Sequence, residues 1–410
     1  MATALSAPVG VEADATFRGA SEAKPRLAFF DPIRVALTVL VILHHVSIAY
    51  GGSGSWYYKE PDANPLTQAI LGIFNCVNQA YFMGFFFLLA GYVMPASLAR
   101  KGQLAYLGDR ALRLWVPLML FGYLLNPLTD ALAAGARGED FLSSLFTKIG
   151  HNSFGLGPLW FNQALLVGAF VWVYVSHISP FHALAIRSAY GGTIWRLILH
   201  TRIALAIAGC GALSFALRTV VPVGQNVFGV QIGYCASYVI LFFGGAWGAR
   251  YRLLERITWQ QAWPWLAVSV TTLPTLWIFG YYRGLMGSTL WHGGWNLAAL
   301  IYAFWEPMVA TGVIMSVLAI ARRWYFKDVA WVKQLAQASY AAFIVHAPTA
   351  VACSWLVKDW AALHIQRFLI AGILSCMLSF AIGIILTKAC AWMKASHRKK
   401  VSAPLVTAAI

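Results

Sequence analysis

Apolar runs of membrane length follow one another along almost the whole chain. About 20 apolar residues are enough to cross the ~30 Å hydrocarbon core of a bilayer as an α-helix. Polar turns separate the runs, which lie at about 31–50, 69–96, 112–132, 158–177, 203–222, 230–249, 263–281, 295–321, 335–357 and 367–392. The pattern predicts an all-α, polytopic membrane helical bundle with about ten transmembrane helices.

The first of these runs carries polar residues that plain lipid does not favour. Pro32 suits the first turn of the helix, and Gly51 follows its end. Arg34 and His45 are eleven positions apart, so they lie within ~20° of one helix face and ~16 Å apart along the axis. Ionisable groups inside a membrane are costly unless they line a cavity or meet partners. The pair therefore indicates a functional site.

The distribution of cations predicts the orientation of the bundle. With the N-terminus in the cytoplasm, 22 of the 30 lysines and arginines fall on cytoplasmic segments, 7 fall on outer loops, and Arg34 is the remaining one. Cytoplasmic loops of membrane proteins are enriched in Lys and Arg. We therefore expect both termini in the cytoplasm.

Composition supports a membrane protein and argues against a nucleic-acid partner. The chain is 60% hydrophobic and 11% charged, whereas soluble proteins are about 25% charged. Its net charge of +16 comes from cations scattered between apolar runs, as on a cytoplasmic membrane face. The six cysteines lie in apolar segments without metal-ligand spacing, so we expect no metal site. We predict a disordered tail at 1–26, a membrane domain at 27–393 and a basic cytoplasmic tail at 394–410.

A pair of arginines opens the third run from the cytoplasmic side. Arg110 and Arg113 are three positions apart, so both project from one side of a helix. Two guanidinium groups placed in this way can hold a pyrophosphate or a phosphomonoester. Membrane anchoring by cytoplasmic arginines explains the pair equally well.

Several short motifs, in this order, resemble the acyltransferase-3 family of multi-pass membrane enzymes. The resemblance extends over nearly the whole chain and is greatest to the branch that includes the succinyltransferase of osmoregulated periplasmic glucans. One departure is Ala90, where relatives usually have Ser before Gly91. The motifs are Phe30-Asp31-Pro32-Ile33-Arg34 with His45 eleven positions after Arg34, Phe85-Phe86-Phe87-Leu88-Leu89-Ala90-Gly91-Tyr92, Arg110 with Arg113, Leu159-Trp160-Phe161, Trp305-Glu306 and Ser339-Tyr340-Ala341-Ala342-Phe343-Ile344-Val345-His346.

The resemblance implies transfer of an acyl group from cytoplasmic acyl-CoA to a hydroxyl on the far side of the membrane. It implies donor binding by Arg34, Arg110 and Arg113, and a catalytic role for His45. The residues agree with this independently, since inner cations suit the phosphates of CoA and imidazole titrates near neutral pH. We expect an acyl group of the acetyl or succinyl class and an envelope glycan or a similar hydroxylated molecule as the acceptor.

Two further ionisable residues lie deep in predicted helices. Glu306, which precedes Pro307, is expected either to act in catalysis, by orienting His45 or neutralising Arg34, or to be structural, in an ion pair or as a protonated carboxyl. His346, in the ninth run, either lines the passage to His45 or packs between helices.

Other polar and aromatic residues are weaker candidates for the passage or the acceptor site. His44 points ~100° away from His45, which favours an interhelical hydrogen bond. Three amides on the second run fit either an acceptor cleft or interhelical hydrogen bonds, and Trp160 fits either a sugar site or an interfacial aromatic belt. The amides are Asn75, Asn78 and Gln79.

A second function uses the same buried residues. A proton-coupled transporter or flippase would employ His45, Glu306 and His346 as a proton relay, but it does not require the cytoplasmic arginine pair. The sequence contains no evident internal repeat, which weakens the case for a transporter built from inverted halves.

We expect a location in a bacterial cytoplasmic membrane, in contact with membrane lipid. The sequence leaves the oligomeric state open, a homo-oligomer included, together with the choice between direct transfer and an acyl-enzyme.

Overall fold

The computed structural model describes residues 27–178, 192–282, 288–323 and 329–402, and within them almost all of the chain is helical. A two-stranded hairpin pairs β1 (Asn226–Val227) with β2 (Val230–Gln231) in antiparallel register. The helices are α1 (Phe30–Ala49), α2 (Pro65–Lys101), α3 (Gln103–Leu120), α4 (Asn126–Ala136), α5 (Phe141–Gly150), α6 (Trp160–Ile178), α7 (Gly192–Val220), α8 (Cys235–Arg250), α9 (Trp259–Tyr282), α10 (Leu297–Arg323), α11 (Ala330–Val357) and α12 (His364–Ser402). The prediction of an all-α polytopic bundle is confirmed.

Nine helical segments in the described part of the chain are long and apolar enough to span a membrane. Helix α9 covers the seventh predicted run, 263–281, and contains Pro264 and Pro274. The run predicted at 112–132 is interrupted by a π-helical turn, Phe121–Leu125, which joins α3 to α4 just after Pro117. Proline removes a backbone donor, so the regular helical hydrogen bonding is altered there.

Helix α1 lies inside the bundle, where it contacts α2, α11 and α12. Its buried side chains Ile33, Leu37 and Val41 join one large apolar core with residues of α2 and α8, and Ile42 and Val46 join a second core with α11 and α12. Apolar residues on both sides of this helix leave few polar positions, so Arg34 and His45 stand out against a buried surface. Both residues are half-buried on this helix.

Both ends of the chain extend beyond the predicted membrane domain. The tail predicted at 1–26 lies outside the described residues. The tail predicted at 394–410 is described only to Ser402, and that part continues helix α12.

Helices α2 and α8 pack at very short range through glycines. A Cβ atom added at Gly91 would overlap the carbonyl oxygen of Phe242, and one added at Gly245 would overlap that of Leu88. Small residues at such positions let helix backbones approach closely in membranes. The Gly91 position in the Phe-rich motif is therefore a packing requirement.

We predict that Gly91→Ala destabilises the protein by about 1–3 kcal/mol, because the added methyl group forces α2 away from α8. The matched control is Gly244→Ala, where an added Cβ meets no atom within 4 Å. Alanine favours a helix over glycine by about 0.5–1 kcal/mol, so the control should be neutral or stabilising. Thermal unfolding in detergent measures both variants, and equal melting temperatures would contradict the close packing.

Candidate active site

A pair of histidines joins α1 to α11 inside the bundle. His45 Nδ1 lies 3.1 Å from His346 Nε2, and the two ring centroids are 5.0 Å apart. His346 is fully buried, and its Nδ1 lies 2.5 Å from the carbonyl oxygen of Phe343 in the preceding turn. Small neighbours on α11, Ala342 and Ala347, are also buried and leave room for the contact with α1. His45 therefore faces a protein partner across the helix interface.

An aromatic ring covers the histidine pair. Trp56, in the connection between α1 and α2, stacks on His45 with ring centroids 4.1 Å apart and lies 6.1 Å from the ring of His346. An indole face against an imidazole excludes water from that side and limits rotation of the ring. In the sequence, Trp56 is one of many aromatic residues at predicted membrane interfaces, so its position beside His45 was not predicted.

The connection that carries Trp56 is fastened to three parts of the bundle. Tyr57 donates a 2.6 Å hydrogen bond from its hydroxyl to Asn126 Oδ1, and its carbonyl accepts one from Arg137. The Glu60 backbone N–H donates to the carbonyl of Ala49, at the end of α1. The carboxylate of Glu60 lies 2.8 Å from Arg367 of α12. These contacts fix Trp56 over the histidine pair.

The electrostatics of the connection between α1 and α2 are set by burial and by the neighbouring Arg367 and His364. Burial raises the pKa of the Glu60 carboxyl above its ordinary value, and the nearby Arg367 and His364 oppose that shift. Burial also raises the pKa of Tyr57, so its hydroxyl stays protonated and remains a donor to Asn126.

The amides of α2 make hydrogen bonds to other parts of the bundle. Asn75 accepts a short hydrogen bond from the hydroxyl of Ser47 and donates to the Ser53 carbonyl at 2.8 Å. Asn78 donates to the carbonyl of Leu40 in α1 at 3.2 Å. Of the two expectations for these residues, interhelical hydrogen bonding is the one that their contacts support.

Gln79 and Trp160 meet at one tyrosine of α8. Gln79 donates to the Tyr238 hydroxyl at 3.3 Å, and Trp160 stacks on the Tyr238 ring with centroids 5.5 Å apart. The buried ring of His44 stacks on Phe82 of α2, and its Nδ1 makes no hydrogen bond with any described residue. These contacts join α2 to α1 and α8, and α6 to α8.

The three predicted donor-binding arginines lie at the same end of the bundle but have different surroundings. Arg34 is 3.7 Å from Asp31 on its own helix. The Arg110 guanidinium lies over the buried ring of Tyr106, 5.2 Å from its centroid. The side chain of Arg113 is 66% exposed and pairs with Asp109 at 2.8 Å. The side chains of Arg34 and Arg113 are therefore partly exposed, and each lies near an aspartate of its own helix.

The contacts of Glu306 differ from what the sequence suggested for its catalytic role. Its buried carboxylate forms an ion pair with Arg218 of α7, which is itself only 1% exposed. The Arg218 Nε atom donates to the carbonyl of Gly233, and the guanidinium lies 5.2 Å from the rings of Tyr234 and Tyr302. Of the two expectations for Glu306, the structural ion pair is the one these contacts support. A catalytic role stays a prediction.

Arg218 is one of the seven cations counted on the outer loops, but it lies in the last turn of α7 and is buried. The residue lies inside α7 and within the run predicted at 203–222, so a signal was present in the sequence. A carboxylate in the middle of an apolar helix requires a compensating cation, and an arginine inside another predicted span is a suitable candidate.

A cavity of about 240 Å³ lies between α7, α8 and α10. It is bounded mainly by apolar side chains, and none of the predicted site residues lines it. This cavity is therefore separate from the expected passage between the inner arginines and His45.

Comparison with known families assigns the chain to one of them. Residues 27–388 match the family described as an acyltransferase domain, which is most of the chain. No curated protein and no solved structure gave a significant match. The narrower likeness to the periplasmic glucan succinyltransferases stays a prediction. With its apolar helices and this match, the chain is a multi-pass membrane protein that belongs to the acyltransferase-3 family.

Proposed function

We propose that this acyltransferase moves an acetyl- or succinyl-class group from cytoplasmic acyl-CoA to a hydroxyl of an extracytoplasmic glycan or similar acceptor, with His45 as the general base. The observation that carries the proposal is the hydrogen bond between His45 Nδ1 and His346 Nε2, beneath the ring of Trp56. This bond belongs to a chain of contacts that decides which nitrogen of His45 is available as a base.

The protonation of the pair follows from its hydrogen-bond partners. The Phe343 carbonyl can only accept, so His346 Nδ1 carries a proton and donates it there. A neutral His346 then presents an unprotonated Nε2 as an acceptor. The group that donates to it is Nδ1–H of His45, which leaves Nε2 of neutral His45 without a proton. That nitrogen is the base.

In the proposed reaction, His45 Nε2 takes the proton of the acceptor hydroxyl while its oxygen attacks the thioester carbonyl carbon. The carbon–sulfur bond breaks as the ester forms, and the CoA thiolate takes the proton from the imidazolium. His346 remains neutral and accepts from Nδ1–H throughout, which stabilises the transient imidazolium charge. General acid–base catalysis of this kind contributes about 10²–10⁴ in rate.

The cationic end of the bundle suits the phosphates of the donor. Arg110 and Arg113 lie one helical turn apart on α3, and Arg34 lies at the same end of α1. The ion pair between Arg113 and Asp109 is exposed, and exposed pairs are worth about 0–1 kcal/mol, so a phosphate can compete with it. Arg34 and His45 are ~16 Å apart along α1, a distance that the thin arm of CoA would bridge.

The proton-relay alternative receives no support from the contacts of Glu306. Its carboxylate forms an ion pair with Arg218 and not with either histidine of the pair. We place the enzyme in a bacterial cytoplasmic membrane, with its donor side towards the cytoplasm.

His45→Gln is expected to reduce acyl transfer by at least about 100-fold while acyl-CoA binding stays within about threefold, because only the proton acceptor is lost. Transfer is measured as radiolabelled acyl group that enters the envelope glycan fraction, and binding with radiolabelled acyl-CoA and purified protein. His151→Gln, at an exposed histidine that follows α5, is the control. Normal transfer by the His45 variant would reject the base assignment, and no acyl-CoA binding by the wild type would favour the transporter.

Arg110→Ala and Arg113→Ala are each expected to weaken acyl-CoA binding about tenfold, because each removes charge-assisted hydrogen bonds to phosphate. The effect should shrink at high salt, since the site is partly exposed. Arg100→Ala, at the exposed end of α2, is the matched control. Dissociation constants equal to the wild-type value for all three variants would show that the arginines serve only as membrane anchors.

His346→Leu is expected to lower kcat about 100-fold with little change in KM for acyl-CoA, because His45 loses the acceptor that fixes its protonation. His346→Gln keeps an acceptor oxygen near the position of Nε2 and should recover part of kcat. A merely structural role would instead predict that both variants lose activity in proportion to folded protein, as measured by size-exclusion chromatography and melting temperature.

A further inference from the structure

The cavity between α7, α8 and α10 has the dimensions and surroundings of a lipid site. Its lining is almost wholly apolar, with Ile207 of α7, Leu241 of α8 and Ile314 of α10 among its walls. Protein interiors are otherwise close-packed, and an empty space costs dispersion contacts for every atom around it. Apolar walls of this kind do not hold water, so the occupant that suits them is hydrocarbon.

The length of the cavity corresponds to one leaflet of a bilayer. Its lining residues run from Leu199 to Cys210 on α7 and from Pro307 to Leu318 on α10. Each stretch covers eleven helical steps, which is ~16 Å along the axis. Half of a ~30 Å hydrocarbon core is ~15 Å. One extended acyl chain from a single leaflet therefore fits along these two helices.

A cation marks one end of the cavity. Arg256 is exposed and lines the cavity at the connection between α8 and α9, the side that the cation distribution assigns to the cytoplasm. No carboxylate of the described residues pairs with its guanidinium. The nearest acidic residue in sequence, Glu255, bonds to Arg252 and Tyr92 instead.

The connection that carries Arg256 is held in place. The side chain of Arg322 in α10 donates a short hydrogen bond to the carbonyl of Ile257, and the buried Gln261 accepts from the Thr258 backbone N–H at 3.0 Å. A cation at one end of an apolar cavity is complementary to a phospholipid, in which a phosphate lies at one end of a fatty acyl chain. Basic pockets between transmembrane helices on the cytoplasmic side bind anionic lipid headgroups.

We propose that this cavity binds an anionic glycerophospholipid of the cytoplasmic leaflet, with one acyl chain between α7, α8 and α10 and its phosphate at Arg256. The site is separate from His45 and its partners, so the proposal does not depend on the mechanism above. The bound lipid fills the space between α7 and α10 and packs against both helices. The Arg218–Glu306 ion pair joins the same two helices.

The test compares two variants with matched controls, in full-length protein purified in detergent. Ala206→Phe places a large side chain at the exposed rim of the cavity. Its control is Leu205→Phe, because Leu205 is the neighbouring residue and does not line the cavity. Arg256→Ala removes the cation, and Arg100→Ala removes one at the exposed end of α2. Co-purified phospholipid is measured by mass spectrometry, and phosphatidylglycerol and phosphatidylcholine are each titrated in a thermal-shift assay.

We expect wild type and both controls to retain about one anionic phospholipid per chain and to be stabilised more by phosphatidylglycerol than by phosphatidylcholine. Arg256→Ala should weaken phosphatidylglycerol binding about fivefold, and Ala206→Phe should abolish it while the protein remains monodisperse. Equal lipid retention by all variants, or equal stabilisation by the two lipids, would overturn the proposal. If only a long-chain acyl-CoA, and no phospholipid, bound to the cavity, the cavity would be assigned to an acyl donor and the proposal would also be overturned.

Discussion

Polar groups inside the bilayer must find partners within the protein, and this requirement organises the structure. Unsatisfied polar atoms cost several kcal/mol in hydrocarbon, so polar side chains on one helix favour partners on a neighbouring helix. His45 of α1 meets His346 of α11, and Arg218 of α7 meets Glu306 of α10. The helix arrangement that places the candidate active site is the one that satisfies these pairs.

Much of the fold was predictable because the bilayer restricts the options. Apolar length predicted an all-α bundle, and every predicted run corresponds to described helix. Some ends differ, since α7 begins at Gly192 and α12 ends at Ser402, and α5 (Phe141–Gly150) was not predicted. The interruption at Phe121–Leu125 was not predicted, because periodicity does not distinguish a π-helical turn from the helix around it. The order of short motifs predicted the family, which the match over residues 27–388 confirms.

The candidate site was predicted only in part, since single residues can be identified along a helix but their partners come from other helices. Arg34 and His45 were recognisable because both interrupt one apolar face. Trp56 was not, because its role depends on how the connection is fastened to Asn126 through Tyr57 and to Arg367 through Glu60. The roles of His45 and of the arginines stay predictions until they are measured.

The ion pair between Arg218 and Glu306 also constrains how the protein is made. The two residues are 88 positions apart, so at about 5–20 residues per second the ribosome needs roughly 5–20 s to produce the partner after the arginine has been synthesised. Until then α7 carries an uncompensated charge that hydrocarbon resists. The buried ion pair can therefore form only once α10 has been synthesised beside α7.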